Sequence, residues 1–254
     1  MKLKFQISRE IRIGIVVVAV FGLIAFTERM KGDVSVGSIQ INIDNIHENH
    51  FLDEDDIIDL MQWNHENVKG ASLGKVDFRE IESRIEKDPF VQDAEMYSDL
   101  KGNLMVSVIL RRPVARIVRN DGPDGYLAED GTIMPVSDKF TSRVLIISGP
   151  FVGQLLKVRN ANELEEGARL MEMIHAIRQD EFWNAQIAQL HVDGKARISL
   201  MPQVGDEEIE FGKPENLETK FRKLKIFYKE ILPRVGWNRY KRVNLEFAGQ
   251  IVAE

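Results

Sequence analysis

Four residues that lie close together in the sequence have side chains that could bind a metal ion: His47, His50, Asp53 and Asp55. Imidazole nitrogens and carboxylate oxygens are ordinary ligands of Zn²⁺, but a zinc site needs its ligands at compatible spacing. No further partner follows at such a spacing, so we interpret the four as a polar loop that leads into a capped helix. The remaining histidines are scattered, as is typical of surface or packing positions: His65, His175 and His191.

Two pairs of adjacent carboxylates are the other candidates for catalysis, Glu165-Glu166 and Glu207-Glu208. Adjacent residues do not face each other on a helix, and on a strand they point to opposite faces. The sequence contains no glycine-rich phosphate loop, G-x-S-x-G elbow or zinc-protease motif. It also contains no cysteine, which excludes a disulfide framework, a thiolate metal site and a cysteine nucleophile. We therefore predict that the protein is not an enzyme and binds no cofactor, metal or small-molecule substrate.

The most apolar stretch of the sequence runs from Ile13 to Thr27 without a charged residue. As a helix this stretch would span roughly 22 Å, whereas a bilayer core is about 30 Å thick. An uncleaved membrane anchor, a cleaved signal peptide and a buried helix all remain open. We favour an anchor over residues 13–29, because Ala25-Phe26-Thr27 is a poor cleavage site and no polar face interrupts the run. Its membrane-spanning side chains would include Ile13, Val17, Phe21 and Phe26.

The charges on the two sides of this stretch predict its orientation. Residues 1–12 form a short basic tail, whereas the cations after the stretch are mixed with Glu28 and Asp33. The positive-inside rule places such a tail in the cytoplasm and the rest of the chain outside it. The whole chain is 44% hydrophobic and 29% charged, so it can bury a core, and its net charge of −6 argues against a nucleic-acid binder.

Residues 36–113 follow the order strand, helix, helix, strand, strand. Ser38 to Asp44 alternates apolar and polar residues, which indicates a strand with one buried face. Asp53 is a suitable N-cap for a helix from Glu54 to Gln62, and a second helix opens at Asp77. Two strands are expected at 90–97 and 104–110. Two helices on one face of a three-stranded sheet make an α+β layer pair.

Residues 114–254 predict a mixed β-sheet with two packing helices. Strands are expected at 115–119, 126–128, 132–134, 144–147, 187–192, 197–200, 208–211 and 242–247. The helices are expected at 163–179, where Asn162 and Glu165 would form a capping pair, and at 217–232, where Pro233 would follow the helix. The second helix is basic, and its outer face is either solvated or a surface for a partner. Its cations are Lys220, Arg222, Lys223, Lys225 and Lys229.

The last predicted strand is a candidate sheet edge, and the tail 248–254 could continue it. An edge strand has unpaired N–H and C=O groups that can accept a strand from another protein. Residues 246–252 contain none of the prolines and lysines that usually block such an edge. Pairing of this strand within its own sheet explains one of its sides equally well.

Several stretches of the chain carry a resemblance to a known family. DPFVQDAEMYSDLKGNLMVSVILRRPVA, residues 88–115, resembles the end of a POTRA domain (polypeptide-transport-associated domain) as it occurs in the FtsQ/DivIB cell-division family. GYLAEDGTIMP, RVLIISG and the segment from Tyr240 to Phe247 resemble successive strands of that family's C-terminal domain. The order of all these pieces, together with the apolar stretch, covers nearly the whole chain.

The resemblance implies a non-catalytic, single-pass scaffold of the bacterial inner membrane, located at the division septum. Its POTRA domain would help to recruit it, and its second domain would bind FtsB and FtsL by adding a strand at the last strand, with help from helix 217–232. Carried over by position, the partner-binding residues are Glu246, Phe247, Ala248, Gly249, Gln250 and Ile251. Phe247 stands where the family often has tyrosine. The alternative is a POTRA-containing chaperone or assembly factor for secreted or outer-membrane proteins. A hydrolase with a cleaved signal would need a catalytic constellation that we do not find.

Overall fold

The structure is a computed structural model that describes residues 9–32, 34–46, 49–62, 68–121 and 124–254. These residues form two compact units. The first consists of residues up to 46 and residues 52–110, and the second consists of residues 49–51 and 111–254. His47, His65 and the predicted tail up to residue 8 lie outside the described residues.

The first helix, α1, runs from Arg9 to Gly32, and its side chains from residue 13 to residue 24 are exposed. Across the described ranges, no helix is long and apolar enough to cross a membrane. The structure therefore does not support the anchor predicted at 13–29, with Ile13, Val17 and Phe21 among its spanning side chains. The uncharged run within α1, Ile13 to Thr27, spans roughly 22 Å as a helix, and a bilayer core is about 30 Å thick. The side chain of Phe26 is outside the described ones.

The first unit has the predicted order of elements. Its strands are β1 (Ile39–Asp44), β2 (Val91–Ser98) and β3 (Leu104–Leu110), and its further helices are α2 (Glu54–Met61) and α3 (Phe78–Ile85). The sheet order is β1-β3-β2, with β1 parallel and β2 antiparallel to the central strand. The predicted α+β pair is thus confirmed.

Short-range side-chain contacts begin both helices where the sequence predicts. The Asp53 carboxylate accepts the Asp56 N–H at 3.0 Å, and the Asp56 carboxylate accepts the Asp53 N–H at 2.8 Å, which together form a capping box. Asp77 caps α3 by accepting the Glu80 N–H at 3.1 Å. These caps turn the apolar stripe of each helix inward, where Ile57 and Met61 of α2 and Ile81 and Ile85 of α3 are buried.

The second unit is built on a nine-stranded mixed sheet with the order β12-β11-β10-β9-β8-β7-β4-β5-β6. The pairs β4/β7, β7/β8 and β10/β11 are parallel and the others antiparallel. The strands are β4 (Pro113–Ile117), β5 (Gly125–Ala128), β6 (Ile133–Pro135), β7 (Leu145–Ser148), β8 (Ile187–Val192), β9 (Ile198–Pro202), β10 (Glu208–Gly212), β11 (Arg242–Asn244) and β12 (Val252–Ala253).

Two helical segments pack on this sheet, as predicted. The first is α5 (Glu165–Gln179), and the second is continuous through α7 (Leu217–Ile226), a π-helical turn (Phe227–Ile231) and α8 (Leu232–Val235). The sequence predicted that Pro233 would follow the second helix, but Pro233 lies within it, in α8 directly after the π-helical turn. Two short helices, α4 (Val152–Leu155) and α6 (Glu181–Gln186), were not predicted.

The start of α5 differs from the predicted capping pair. Asn160 and Glu163 form a capping box around a 3₁₀ turn at Ala161–Glu163, and α5 begins after Leu164 without a side-chain cap. The predicted pair of Asn162 and Glu165 was therefore wrong, because the 3₁₀ turn occupies Ala161–Glu163 and α5 begins at Glu165 instead of residue 163.

One face of the nine-stranded sheet carries the core of the second unit. Alternate residues of successive strands are buried in one cluster with Ile174 of α5 and Leu224 of α7, whereas most of the intervening residues, polar and apolar, are only partly buried. The buried strand residues include Ile117, Ile147, Leu190, Leu200, Ile209 and Val243. The sheet thus has one packed face and one that is partly exposed over most of its strands, with β5 buried throughout, and a half-exposed sheet is common where antiparallel pairs predominate.

Candidate partner-binding edge

The last strand of the sheet is not the one that the sequence predicts. β11 ends at Asn244 instead of Phe247, and the chain reverses and returns as β12, antiparallel to β11. The reversal passes through Gly249, whose φ of 72° is a conformation that glycine adopts easily and most residues do not. The tail therefore does not continue β11, and β12 forms the edge of the sheet.

The pairing of β12 with β11 determines which backbone groups face outward. Asn244 lies opposite Val252, and the Glu254 N–H donates to the Arg242 carbonyl at 2.9 Å. Because successive residues of a strand direct their backbone groups to opposite sides, those of Ile251 and Ala253 point away from β11. Within the described residues, no strand lies beyond them.

The two faces of this edge differ in chemistry. Ala253 lies opposite the buried Val243, and both Ile251 and Ala253 pack against the hydrophobic core. Val252 and Glu254 alternate with them and therefore lie on the open face of the sheet. A strand placed beside β12 would have one side next to the core-packed Ile251 and Ala253 and the other next to the partly exposed Val252 and the exposed Glu254.

The six residues predicted to bind a partner lie mostly in the turn and not on the edge. Glu246 to Gln250 are exposed, and only Ile251 belongs to the edge. The Glu246 N–H donates to Asn244 Oδ1 at 2.8 Å, and the Phe247 side chain is 49% exposed. Sequence reasoning missed Ala253, although Gly249 inside an otherwise strand-like segment was a signal that the chain turns.

The basic helix uses three of its lysines inside its own unit. The Lys220 ammonium donates to the carbonyls of Phe211 and Lys213, both at 2.8 Å, and Lys225 Nζ lies 2.9 Å from Asp180 Oδ2. Lys223 Nζ donates to three carbonyls of the last turn, those of Leu245 and Phe247 at 2.8 Å and that of Gln250 at 3.3 Å. Loss of hydration on burial lowers the pKa of both Lys220 and Lys223 below the ordinary lysine value.

Two of the four carboxylates considered for catalysis, Glu207 and Glu165, contact other side chains of the fold. Glu207 is 2% exposed and accepts the Tyr228 hydroxyl at 2.6 Å, whereas Glu208 is exposed at the start of β10. Burial and the Glu207 carboxylate raise the pKa of Tyr228 far above its ordinary value. Glu165 is exposed and pairs with Arg169 at 2.8 Å.

Within the described residues, His50 and the acidic cap Asp53 have separate roles in packing and capping. The His50 ring packs edge-on against Phe140 at 5.7 Å, and Asp53 caps α2. In the part of the chain that the structure describes, no group of histidine and carboxylate side chains could hold a metal ion.

Comparison with known families gives two matches that together span most of the chain. A family model described as FtsQ/DivIB, C-terminal related, matches residues 112–254, which is more than half of the chain. A model of a POTRA-like domain matches residues 36–109. None of the curated proteins compared matches the chain.

Proposed function

Because the chain belongs to the FtsQ/DivIB family, we propose that it is a non-catalytic scaffold of bacterial cell division that binds a partner by strand addition at β12. The observation that carries the proposal is the outward direction of the Ile251 and Ala253 backbone groups at the end of the sheet. An extended segment that pairs with these groups would lengthen the sheet, and such pairing is a recurrent mode of peptide recognition.

The partners that the family resemblance implies are FtsB and FtsL. The chemistry of the edge specifies a segment with alternating side chains. Those on the side of Ile251 and Ala253 would be apolar, since they would extend the core, and those on the side of the partly exposed Val252 and the exposed Glu254 would face solvent and tolerate polar residues. FtsB or an FtsB-like protein with such a segment is the partner that we propose.

The proposal places the protein at the division septum, with which its family is associated, and gives the POTRA-like unit a role in recruitment. This location and this role do not require that α1 spans a membrane. A fluorescent fusion of the full chain is expected to collect at mid-cell in dividing cells. A uniform distribution throughout the cell cycle would contradict this part of the proposal.

The strand-addition step is tested by Ala253→Pro in the full chain. Proline removes the outward N–H and fills the position where a partner strand would pair, but it leaves the groups of Val252 and Glu254 that bond to β11. We expect the affinity for the extracytoplasmic segment of an FtsB-like protein from the same genome to fall about tenfold or more. The matched control, Ala253→Ser, keeps the N–H and is expected to bind as the natural chain does.

A truncation after Gln250 provides a second test. It removes β12 and leaves β11 to cover β10, so circular dichroism should show a folded chain, and binding should be lost. If Ala253→Pro and this truncation both bind with unchanged affinity, the partner does not use this edge.

A further inference from the structure

The turn between β11 and β12 is held by one side chain of the neighbouring helix. An ammonium group has three N–H donors and no acceptor. Lys223 Nζ uses them on the carbonyls of Leu245, Phe247 and Gln250, at distances of 2.8, 2.8 and 3.3 Å. These three acceptors span the whole reversal, so a single group on α7 fixes its beginning, middle and end.

Apart from these bonds, the Glu246 N–H donates to Asn244 Oδ1 at 2.8 Å, the Glu246 carboxylate lies 4.0 Å from the Arg197 guanidinium, and Ile251 packs against the core. Glu246 to Gln250 are all exposed, and β12 itself is a two-residue strand. Short exposed pairs of strands are marginal in water. Hydrogen bonds from a charged donor are roughly twice as strong as neutral ones, so the Lys223 contacts are well suited to order a segment that buries few apolar side chains.

The neighbouring strand ends in a similar arrangement. β10 and β11 are parallel, so their carboxyl ends meet at the same border of the sheet, beside α7. Lys220, one helical turn before Lys223, donates to the carbonyls of Phe211 and Lys213 at the end of β10. The helix thus directs two successive lysines to the ends of two successive strands, and the Lys223 ammonium is partly desolvated there.

We propose that Lys223 is a positioning residue for partner binding, because it holds the β11–β12 turn and thereby fixes the outward groups of Ile251 and Ala253 before the partner arrives. The inference rests on the proposed function and names the residue that prepares the edge. An edge that is already ordered binds more tightly, since less conformational entropy is lost on association.

The main test is Lys223→Met in the full chain, with Lys225→Met as the matched control. Both variants remove one lysine charge from α7, but Lys225 contacts Asp180 and not the turn. Amide hydrogen exchange should accelerate about tenfold at Val252 and Glu254 in Lys223→Met, and the affinity for the FtsB-like segment should fall about five- to twentyfold. Lys225→Met should leave both quantities within about twofold of those of the natural chain.

Lys223→Arg distinguishes a need for the three hydrogen bonds of the ammonium group from a need for positive charge alone. A guanidinium keeps the charge, but its planar fork cannot direct three donors from one atom. We expect intermediate exchange and intermediate affinity, a partial rescue that a purely structural role in the core would not give. If Lys223→Met does not fold, the arginine variant decides, and unchanged exchange at Val252 and Glu254 would overturn the proposal.

The two proposals can fail separately. Exchange at β12 is measured without any partner, so it tests whether Lys223 orders the β11–β12 turn independently of binding. Failure of the natural chain to bind the FtsB-like segment would instead refute the proposed function. Unchanged exchange at Val252 and Glu254 in Lys223→Met would show that Lys223 does not order the turn. Faster exchange with undiminished binding would overturn its role in preparing the edge.

Discussion

The two units differ in how a helix side chain contacts an edge strand. In the first unit a side chain binds the edge strand β2 itself, and in the second a side chain binds the turn before the edge strand β12. In the first unit, Glu82 of α3 accepts the N–H of Met96 at 2.7 Å. Met96 lies opposite Val106 of β3, but its N–H binds the helix carboxylate and not β3, so this N–H belongs to the outer side of the edge strand. In the second unit, Lys223 of α7 binds the carbonyls of the turn and leaves the outward groups of β12 uncovered.

The difference shows how one charged side chain from a helix can either close an edge or hold it open. A carboxylate bound to the edge strand itself occupies a group that another strand would need. An ammonium bound to the preceding turn orders the strand without occupying its edge. The far end of the second sheet is protected in a third way, since β6 has three residues and ends with Pro135, which has no N–H to offer.

The largest expected effect comes from Gly249→Val, which removes the order that Lys223 provides at β12. A β-branched residue at a φ of 72° is strained, so we expect the second unit to lose about 1–3 kcal/mol and binding of the FtsB-like segment to be abolished. Urea unfolding and a binding titration measure these quantities. Gly249→Asn is the control, because asparagine tolerates this conformation. Equal loss in both variants would mean that the side chain and not the backbone conformation matters.

A comparison of Glu207 with Glu82 tests whether burial increases the contribution of a carboxylate hydrogen bond to the free energy of unfolding. Glu207 accepts a hydrogen bond from Tyr228 as Glu82 does from Met96, but Glu207 is 2% exposed. Tyr228→Phe leaves a buried carboxylate without this donor, so we expect a loss of about 1–3 kcal/mol in urea unfolding. A loss smaller than that of Glu82→Ala would contradict the importance of burial.

The same hydroxyl gives a dependence on alkaline pH. Burial, followed by Glu207, raises the pKa of Tyr228 in the folded chain above the ordinary value of 10.0. The unfolded chain therefore releases this proton first as the pH rises, and stability that is complete below pH 10 should decline above it. Unfolding measured in urea between pH 8 and pH 11 should show this slope, and Tyr228→Phe should reduce it.

Glu82→Ala is expected to open the β2 edge at a smaller energetic cost. The variant frees the Met96 N–H and should destabilise the first unit by about 1 kcal/mol, because the contact is partly exposed. Glu82→Gln retains an acceptor and serves as the control. Analytical ultracentrifugation should detect more self-association for the alanine variant only. If the alanine variant does not self-associate more, Glu82 does not protect the β2 edge from pairing with another strand.

The sequence predicted most helices and strands but not the reversal of the chain between β11 and β12. Local signals such as the Asp53 and Asp77 caps and the alternation along β3 predicted the order of the first unit, and most strands of the second were placed within two residues. These signals are short-range, so each segment carries its own evidence. The strand alternation of 242–247 also predicted a strand, but the left-handed glycine at 249 ended the run and returned the chain as β12.

The role of the basic helix illustrates what periodicity leaves undetermined. The spacing of its lysines indicated an outer face, yet Lys220, Lys223 and Lys225 have partners on β10, on the last turn and at Asp180. A lysine stem can cross a helix surface and deliver its charge several ångströms away. Whether such a charge meets solvent or a carbonyl depends on the tertiary arrangement, which helical periodicity does not specify.

The smallest expected effect concerns two exposed cations of the basic helix, Arg222 in α7 and Lys229 in the π-helical turn that follows it. Arg222 lies 3.7 Å from the exposed Glu218, and Lys229 is exposed beside the Phe182 ring. If the helix assists binding only through Lys223, the double variant Arg222→Glu/Lys229→Glu should change affinity for the FtsB-like segment by less than about twofold at physiological salt, where exposed charges are screened. A titration at low and at physiological salt measures this. A large, salt-dependent loss would show instead that the basic face of α7 attracts an acidic partner directly, and β12 would then share the recognition with a charged surface.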